Sequence, residues 1–419
     1  MILPRPNASA ASHRNESGPP LPSRTPSQLP DIPNESWDVS FAVPMVHRLR
    51  FTRDCLGNDA ATLRAVFVST TSAPVRVFAC VDHCLAAAQP DLLTRLRTAL
   101  QGNETAGHVP HSSLQLVCDP VLLPGGEAAK NDPRMIDELL AAIQRYDLDR
   151  HSYVLAIGGG AVLDAVGYAA SIAHRGIRLV RIPTTTLAQG DSGVGVKTAI
   201  NAFGKKNWIG TFAVPWAVIN DARMLTTLPD RDWNCGFAEA IKVALLKDPD
   251  VFSALELHAD QIRQRDMQFA WPALCQSVRL HLRHITEGGD PFEMQQARPL
   301  DFGHWSAHKL EPLSNYRLRH GEAVAIGVAL DSYYSALVHG LPLEDAERIS
   351  RCLERLGLPT SDPLLRDPRL LDGLEEFRQH LGGQLTVTML ECVGRPVDVH
   401  TVDREQMARA IELLCMRSA

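Results

Sequence analysis

The sequence predicts an α/β N-terminal domain followed by an all-α C-terminal domain. Three observations carry this. Between Trp37 and Asp221, short runs rich in Val, Ile and Leu alternate with amphipathic helical stretches. One such run, SYVLAI, passes directly into three glycines, Gly158, Gly159 and Gly160. After Asp221 strand-like runs become rare and helical periodicity takes over. The division expected is a disordered tail at 1–36, an α/β domain at 37–220 and a helical domain at 221–419.

The tail is rich in Pro, Ser and Asn and lacks the apolar content to bury a core. VSFAVPMVHRLRFTRD then reads as strands, and RVFACVDHCL as a buried strand, Val75–Val81, ending at Asp82. LLTRLRTAL is a helix. LQLVCDPVLLPGGEAAK is a strand and a loop carrying Glu127 and Lys130. MIDELLAAIQRY is an amphipathic helix. SYVLAI is a second buried strand, and AVLDAVGYAASIAH a helix of small residues after the glycines. A glycine turn between strand and helix lets a phosphate reach backbone N–H groups at the positive helix end. A tight strand–helix connection without a ligand explains the same three residues equally well. IRLVRIP is a further strand, ended by Thr184, Thr185 and Thr186, where α/β folds bind ligands. Arg175, Lys197, Lys205 and Lys206 gather positive charge near these loops and suit a phosphorylated substrate.

The helical half holds the histidine-rich stretch Arg298–Ala325, RPLDFGHWSAHKLEPLSNYRLRHGEAVA. His304 and His308 lie four apart and share a helix face. His320 opens the small, apolar run HGEAVAIGVAL. Two or three imidazoles with a carboxylate give a three-ligand site with an open position, as catalytic zinc requires; polar residues capping two helices are the alternative. Glu239 lies three before Lys242 on the otherwise apolar FAEAIKVALLKD. A buried carboxylate there needs a cation or a metal, which makes Glu239 the candidate third ligand.

Composition excludes some classes. With 45% hydrophobic and 21% charged residues and a net charge of -6, nothing calls for nucleic acid or an anionic membrane as partner. No apolar run is long enough to span a bilayer, and the first residues lack the layout of a secretory signal. Nine cysteines, an odd number with only Cys80 and Cys84 close together, read as reduced thiols of a cytoplasmic protein.

Taken together, GGE with Lys130, GGGAVLDAVGYAA, RGIRLVRIPTTTLAQGDSGVGVKT, GKKNWIG, LTTLP, FAEAIK, FGHWSAHKLE and RHGEAVA resemble the dehydroquinate synthase superfamily, the sugar phosphate cyclases, from about Val75 to Gly340. The resemblance makes 37–220 the NAD-binding domain and 221–419 the metal- and substrate-binding domain. It implies Glu239, His304 and His320 as ligands of one divalent metal, zinc or cobalt. Asp82, Glu127, Lys130, Gly158, Gly159, Gly160, Asp164, Thr184, Thr185 and Asp191 match NAD-binding positions. Arg175, Lys197 and Asn207 match a substrate phosphate pocket. Lys206 and Lys242 match polar residues around the reacting sugar, and His308 a histidine placed for proton transfer. A homodimer is implied as well.

The chemistry implied is oxidation of a ring hydroxyl by NAD, β-elimination of phosphate, return of the hydride, ring opening and an intramolecular aldol closure. Three departures bear on the substrate. Dehydroquinate synthases carry Asn where this chain has Asp301; a lysine that helps hold the substrate carboxylate is matched by His281; and their late Asp-Lys-Lys motif is replaced by EEFRQHLGG. These changes disfavour 3-deoxy-arabino-heptulosonate 7-phosphate. RPLDFGH, with Arg298 and Asp301, resembles the branch that cyclises sedoheptulose 7-phosphate, the 2-epi-5-epi-valiolone synthase type. Two other functions remain in view. A metal-dependent polyol dehydrogenase would need no phosphate pocket, and a non-catalytic ligand-binding protein would be marked by loss of a metal ligand.

Overall fold

Strands with apolar residues on both faces fit only where both faces are covered, and strands rich in such residues form the middle of the main sheet. The computed structural model describes residues 36–69, 73–101, 113–203, 205–288, 291–292, 300–380 and 383–417. The tail expected at 1–36 therefore lies outside the described residues except for Ser36. Residues before Met45 form a unit of their own, whose described part, 36–44, is exposed and carries no helix or strand. Residues 45–419 form a second unit.

The main sheet contains β1 (Leu49–Thr52), β2 (Val75–Asp82), β3 (Leu114–Leu116), β4 (Val121–Leu123), β5 (Tyr153–Gly158) and β6 (Arg178–Pro183). A hairpin of β7 (Lys197–Ala202) and β8 (Lys205–Phe212) stands apart as a separate antiparallel sheet, and β9 (Ala217–Asp221) returns to the main sheet. The order is β1-β9-β6-β5-β2-β3, with β4 also beside β2, and every pairing is parallel. Of the expected strands in VSFAVPMVHRLRFTRD only Leu49–Thr52 forms. Pro44 offers no ladder N–H, and the residues before Met45 belong to the other unit.

Alternation along β2 and β5 divides the core in two. Val77, Ala79, Val81, Tyr153, Leu155 and Ile157 face one layer, where helix Leu92–Gln101 packs. Phe78, Cys80, Val154 and Ala156 face the other, against helices Pro133–Arg145 and Gly160–Ile172. After β4 the chain crosses β2, and β5 pairs on the side of β2 opposite β3 and β4. The crevice between the carboxyl ends of β2 and β5 is thus the switch point at which open α/β sheets bind ligands.

The second half is helical, with a core of its own running from Leu225 to Leu414. Its principal helices are Asp230–Lys247, Met267–Glu287, His304–Leu313, His320–Val338, Leu343–Arg355 and Arg404–Arg417. One antiparallel hairpin, β10 (Val387–Cys392) with β11 (Arg395–Val399), lies within it, which the sequence reading did not anticipate. No helix among the described residues is long and apolar enough to cross a membrane.

Candidate active site

The end of β6 meets helix Asp230–Lys247 backbone to backbone. Thr186 Oγ1 donates to the carbonyls of Asp232 and Trp233 at 3.0 and 2.8 Å and accepts from Gly236 N at 3.2 Å. A Cβ on Gly236 would lie 2.3 Å from the carbonyl carbon of Thr186, so only glycine allows this approach. Glu239 stands one turn further on, held over the sheet's carboxyl edge. His304 and His320 each open a helix facing it. One donor atom from each of the three lies within 4.8 Å of the other two. Both imidazole Nε2 atoms are 3.4 Å from Glu239 Oε1.

The donor set fits a divalent metal. Glu239 is 0% exposed, and neither of its oxygens accepts a well-formed hydrogen bond, although Lys242 Nζ comes within 2.5 Å of Oε2. A carboxylate so buried is costly unless a cation sits against it. Both imidazoles have their other nitrogen engaged: His304 Nδ1 lies 3.1 Å from Phe302 O, and His320 Nδ1 2.9 Å from Glu311 Oε1. Metal-ligating histidines are oriented in this way, with Nε2 turned to the ion. Two imidazoles and one carboxylate leave a fourth position for substrate.

Charge in this pocket is finely opposed. Burial works against the Glu239 carboxylate, yet Lys242 and the histidines hold it well below the usual range. Burial also works against a charged His320, but Glu311 and Glu239 push the imidazole up to about 10. Glu311, with its side chain 3% exposed, accepts from His320 and from Lys206 Nζ; burial would raise its carboxyl, and these two cations hold it far below the ordinary value. Lys206 also reaches Glu127 Oε1 at 3.3 Å.

The cofactor candidates line the carboxyl edge of the sheet. Asp82 ends β2 and caps the following helical turn through Cys84 N at 2.8 Å. Gly158 ends β5, Gly159 is the N-cap and Gly160 the first residue of helix Gly160–Ile172. Thr184 N donates to Gly158 O at 3.0 Å. Thr185 Oγ1 accepts from Ala188 N at 3.0 Å and so starts the turn Ala188–Ser192. That turn joins the two halves of the site. A Cβ on Gly160 would lie 2.6 Å from Ser192 Oγ, while Asp191 Oδ1 is 3.1 Å from His281 Nδ1 on helix Met267–Glu287. Lys130 is buried, with Nζ 2.6 Å from Asp164 Oδ2 and bonded to Asn207 Oδ1; Glu127 Oε2 accepts from Asn201 Nδ2 at 2.9 Å.

Not every candidate converges. His308 is exposed at the rim, its ring centroid 5.4 Å from that of His304 and 6.0 Å from that of His320. Asp301 precedes His304 in the same turn and lies in the field of Lys242. Arg298 is outside the described residues. Lys197 opens β7 opposite Phe212, whereas Asn207 N bonds Asn201 Oδ1 nearer the hairpin's tip. The two are therefore separated by about 13 Å of strand. Arg175 is exposed beyond the far end of helix Gly160–Ile172, about 20 Å of helix from the glycine turn. Within one chain Arg175 is not at the site, because the helix between carries it to the opposite edge of the sheet.

Two residues with clear roles escaped the sequence reading. Glu311 is one; its spacing of seven from His304, two helical turns on, was the available signal. Arg181 is the other. It is 0% exposed, on the inward face of β6, and donates to the carbonyls of Gly193, Gly195 and Lys197 at 3.2, 2.8 and 3.2 Å. It shapes the loop after Asp191, and a charge inside the apolar run IRLVRIP was its mark.

Comparison with known proteins agrees with this architecture. Residues 120–235 match the 3-dehydroquinate synthase N-terminal family and residues 236–376 the 3-dehydroquinate synthase C-terminal family. A 2-epi-5-epi-valiolone synthase of Streptomyces glaucescens is 36% identical over 270 residues, 64% of this chain and 69% of that protein. A 3-dehydroquinate synthase of Halorhodospira halophila is 35% identical over 311 residues, 72% of this chain and 85% of that protein. The solved structure of ValA, a 2-epi-5-epi-valiolone synthase from Streptomyces hygroscopicus with NAD+ and Zn2+ bound, superposes with a TM-score of 0.78 at 28% identity, covering 91% of this chain and all of ValA. The chain thus belongs to the 3-dehydroquinate synthase family, the sugar phosphate cyclases, which are carbon–oxygen lyases acting on phosphates.

Proposed function

We propose that this enzyme is an NAD- and divalent-metal-dependent cyclase of a seven-carbon ketose phosphate, sedoheptulose 7-phosphate. The observation that carries the reading is the convergence of Glu239, His304 and His320 on one point, joined through the Ala188–Ser192 turn to the Gly158–Gly160 turn. Glu239, His304 and His320 would hold zinc or cobalt, which supplies Lewis-acid polarisation of a substrate hydroxyl; the residues from Asp82 to Asp191 would hold NAD, which supplies reversible hydride acceptance.

The chain's own groups then divide the remaining work. Lys242 is buried; burial opposes its charge, but Glu239 and Asp191 raise its proton affinity, so it serves as a fixed cation beside the reacting oxygen. Lys206, similarly held charged against burial by Glu311 and Glu127, covers the cleft from the hairpin. His308, exposed beside two ligand imidazoles, moves protons between the substrate and water. The exposed Lys197 is the single-chain candidate for the phosphate. We divide the chain near residue 221 into cofactor-binding and metal-binding domains, and nine free cysteines favour the cytoplasm.

The substrate assignment is supported by charge. Asp191, Glu239 and Asp301 already bring three carboxylates to the site, and His281 faces Asp191 instead of standing as a free cation. A substrate carboxylate would add to that repulsion, while a neutral hydroxyl chain would not. The structural likeness to ValA, a 2-epi-5-epi-valiolone synthase, supports the same reading. The test is inorganic phosphate release with NAD+ and Co2+ on sedoheptulose 7-phosphate and 3-deoxy-arabino-heptulosonate 7-phosphate in parallel. Release from the first alone is expected. Release from the second alone would identify a 3-dehydroquinate synthase, and NADH accumulation without phosphate release a polyol dehydrogenase.

A further inference from the structure

Beneath the ligand histidines lies a buried carboxylate to which the proposed chemistry gives no part. Asp331 is 0% exposed and sits on helix His320–Val338, three turns after His320. Its Oδ2 accepts from Gly303 N and its Oδ1 from Trp305 Nε1, both at 2.9 Å. The two donors flank His304 on either side. Among the described residues no cation pairs with Asp331, and burial pushes its carboxyl up to about 7. An uncompensated buried acid is costly, and a neutral acceptor would satisfy packing at lower cost.

The geometry around it is tight. Gly303 adopts φ +77°, and a Cβ there would lie 2.5 Å from Val328 N. A Cβ on Gly327 would come 2.0 Å from Gly303 O. The turn before His304 therefore lies directly on the His320 helix. Phe302 O, which orients the His304 ring, belongs to the same turn.

We propose that Asp331 is a positioning residue for the metal site: by accepting from Gly303 N–H and Trp305 Nε1–H, it ties the turn that presents His304 to the helix that presents His320 and so fixes the spacing of the two imidazoles. This rests on the metal reading above. The two donors approach different oxygens of Asp331, one at Oδ2 and one at Oδ1, and an ionised carboxylate accepts at both positions whereas an amide offers an oxygen at only one. In Asp331→Asn one donor faces an NH2 group, and the turn loses one of its two anchors.

The test is Co2+ binding, by competition with a chromophoric chelator and by the ligand-field absorption of the Co2+ protein, on the wild type, Asp331→Asn and Trp305→Phe. Thermal unfolding of each metal-free protein is measured alongside. Asp331→Asn is expected to weaken Co2+ binding by about 10–100-fold and to alter the absorption band. Trp305→Phe, which removes one donor only, should give a several-fold loss. A folded Asp331→Asn protein with a lower unfolding midpoint but wild-type Co2+ affinity and spectrum would overturn the proposal and leave Asp331 a packing residue. If Asp331→Asn does not fold, Trp305→Phe decides: unchanged Co2+ affinity overturns the proposal, a several-fold loss supports it. Failure of the parent reading looks different. There the wild type itself would bind no Co2+, or Glu239→Ala would bind it as well as wild type, and this inference would fall with it.

Discussion

Replacing Glu311 by Gln isolates what the carboxylate behind His320 contributes. Glu311 accepts from His320 Nδ1 at 2.9 Å and from Lys206, with 3% of its side chain exposed. Glutamine keeps the shape but loses the charge and can accept through only one atom. Loss of such a partner behind a ligand histidine weakens metal affinity by about 10–100-fold, or about 1.4–2.7 kcal/mol. The pH dependence gives a second, sharper reading. In the metal-free protein His320 is pushed up to about 10, above its ordinary 6.5. Its charged form thus stabilises the fold fully below pH 6.5, and that contribution is lost as pH rises through about 10. A metal must displace this proton, so wild-type affinity should rise about tenfold per pH unit between pH 7 and 9, with one proton released per ion. In Glu311→Gln the rise should flatten within that window. The assay is zinc competition with a chromophoric chelator at several pH values. A Glu311→Gln protein with both wild-type affinity and wild-type pH slope would refute the reasoning.

Three further outcomes follow from particular contacts. Arg181→Met leaves the carbonyls of Gly193, Gly195 and Lys197 without their donor and should cost on the order of 3–5 kcal/mol in urea unfolding; a loss under about 1 kcal/mol would show the arginine to be dispensable. Gly160→Ala places a methyl 2.6 Å from Ser192 Oγ and should weaken NAD+ binding roughly tenfold by calorimetry while barely moving the unfolding midpoint. Gly303→Ala forces an alanine to φ +77° and against Val328 N; it should lower stability by about 1–3 kcal/mol and weaken Co2+ binding, whereas wild-type values of both would mean that the turn relaxes freely.

What the chain's own order determined was anything with a local physical signature. β5, and β2 between Val77 and Val81, are apolar on both faces because both are covered, and the runs VFACV and YVLAI state that directly. Helix Pro133–Arg145 shows its buried stripe in the spacing of Met135, Ile136, Leu139 and Ile143. The candidate metal ligands were legible by type as well, since a glutamate in an apolar helix, two histidines four apart on one helix face and a histidine opening an apolar helix are each anomalous.

Other features depend on partners distant in sequence. The hairpins β7–β8 and β10–β11 are short and mixed in polarity, so their pairing is set by what they pack against. Arg175 stands close after the Gly158–Gly160 turn in the chain, yet a 13-residue helix carries it to the far edge of the sheet. Glu311, Asp331 and Arg181 gain their roles only from what they touch: an imidazole, a glycine turn and three carbonyls. Periodicity reports which face of an element is buried, because burial is a property of each residue's own polarity. Which two buried polar groups meet is a property of how the elements cross, and that was decided only when helices from three parts of the chain closed on one point at the edge of the sheet.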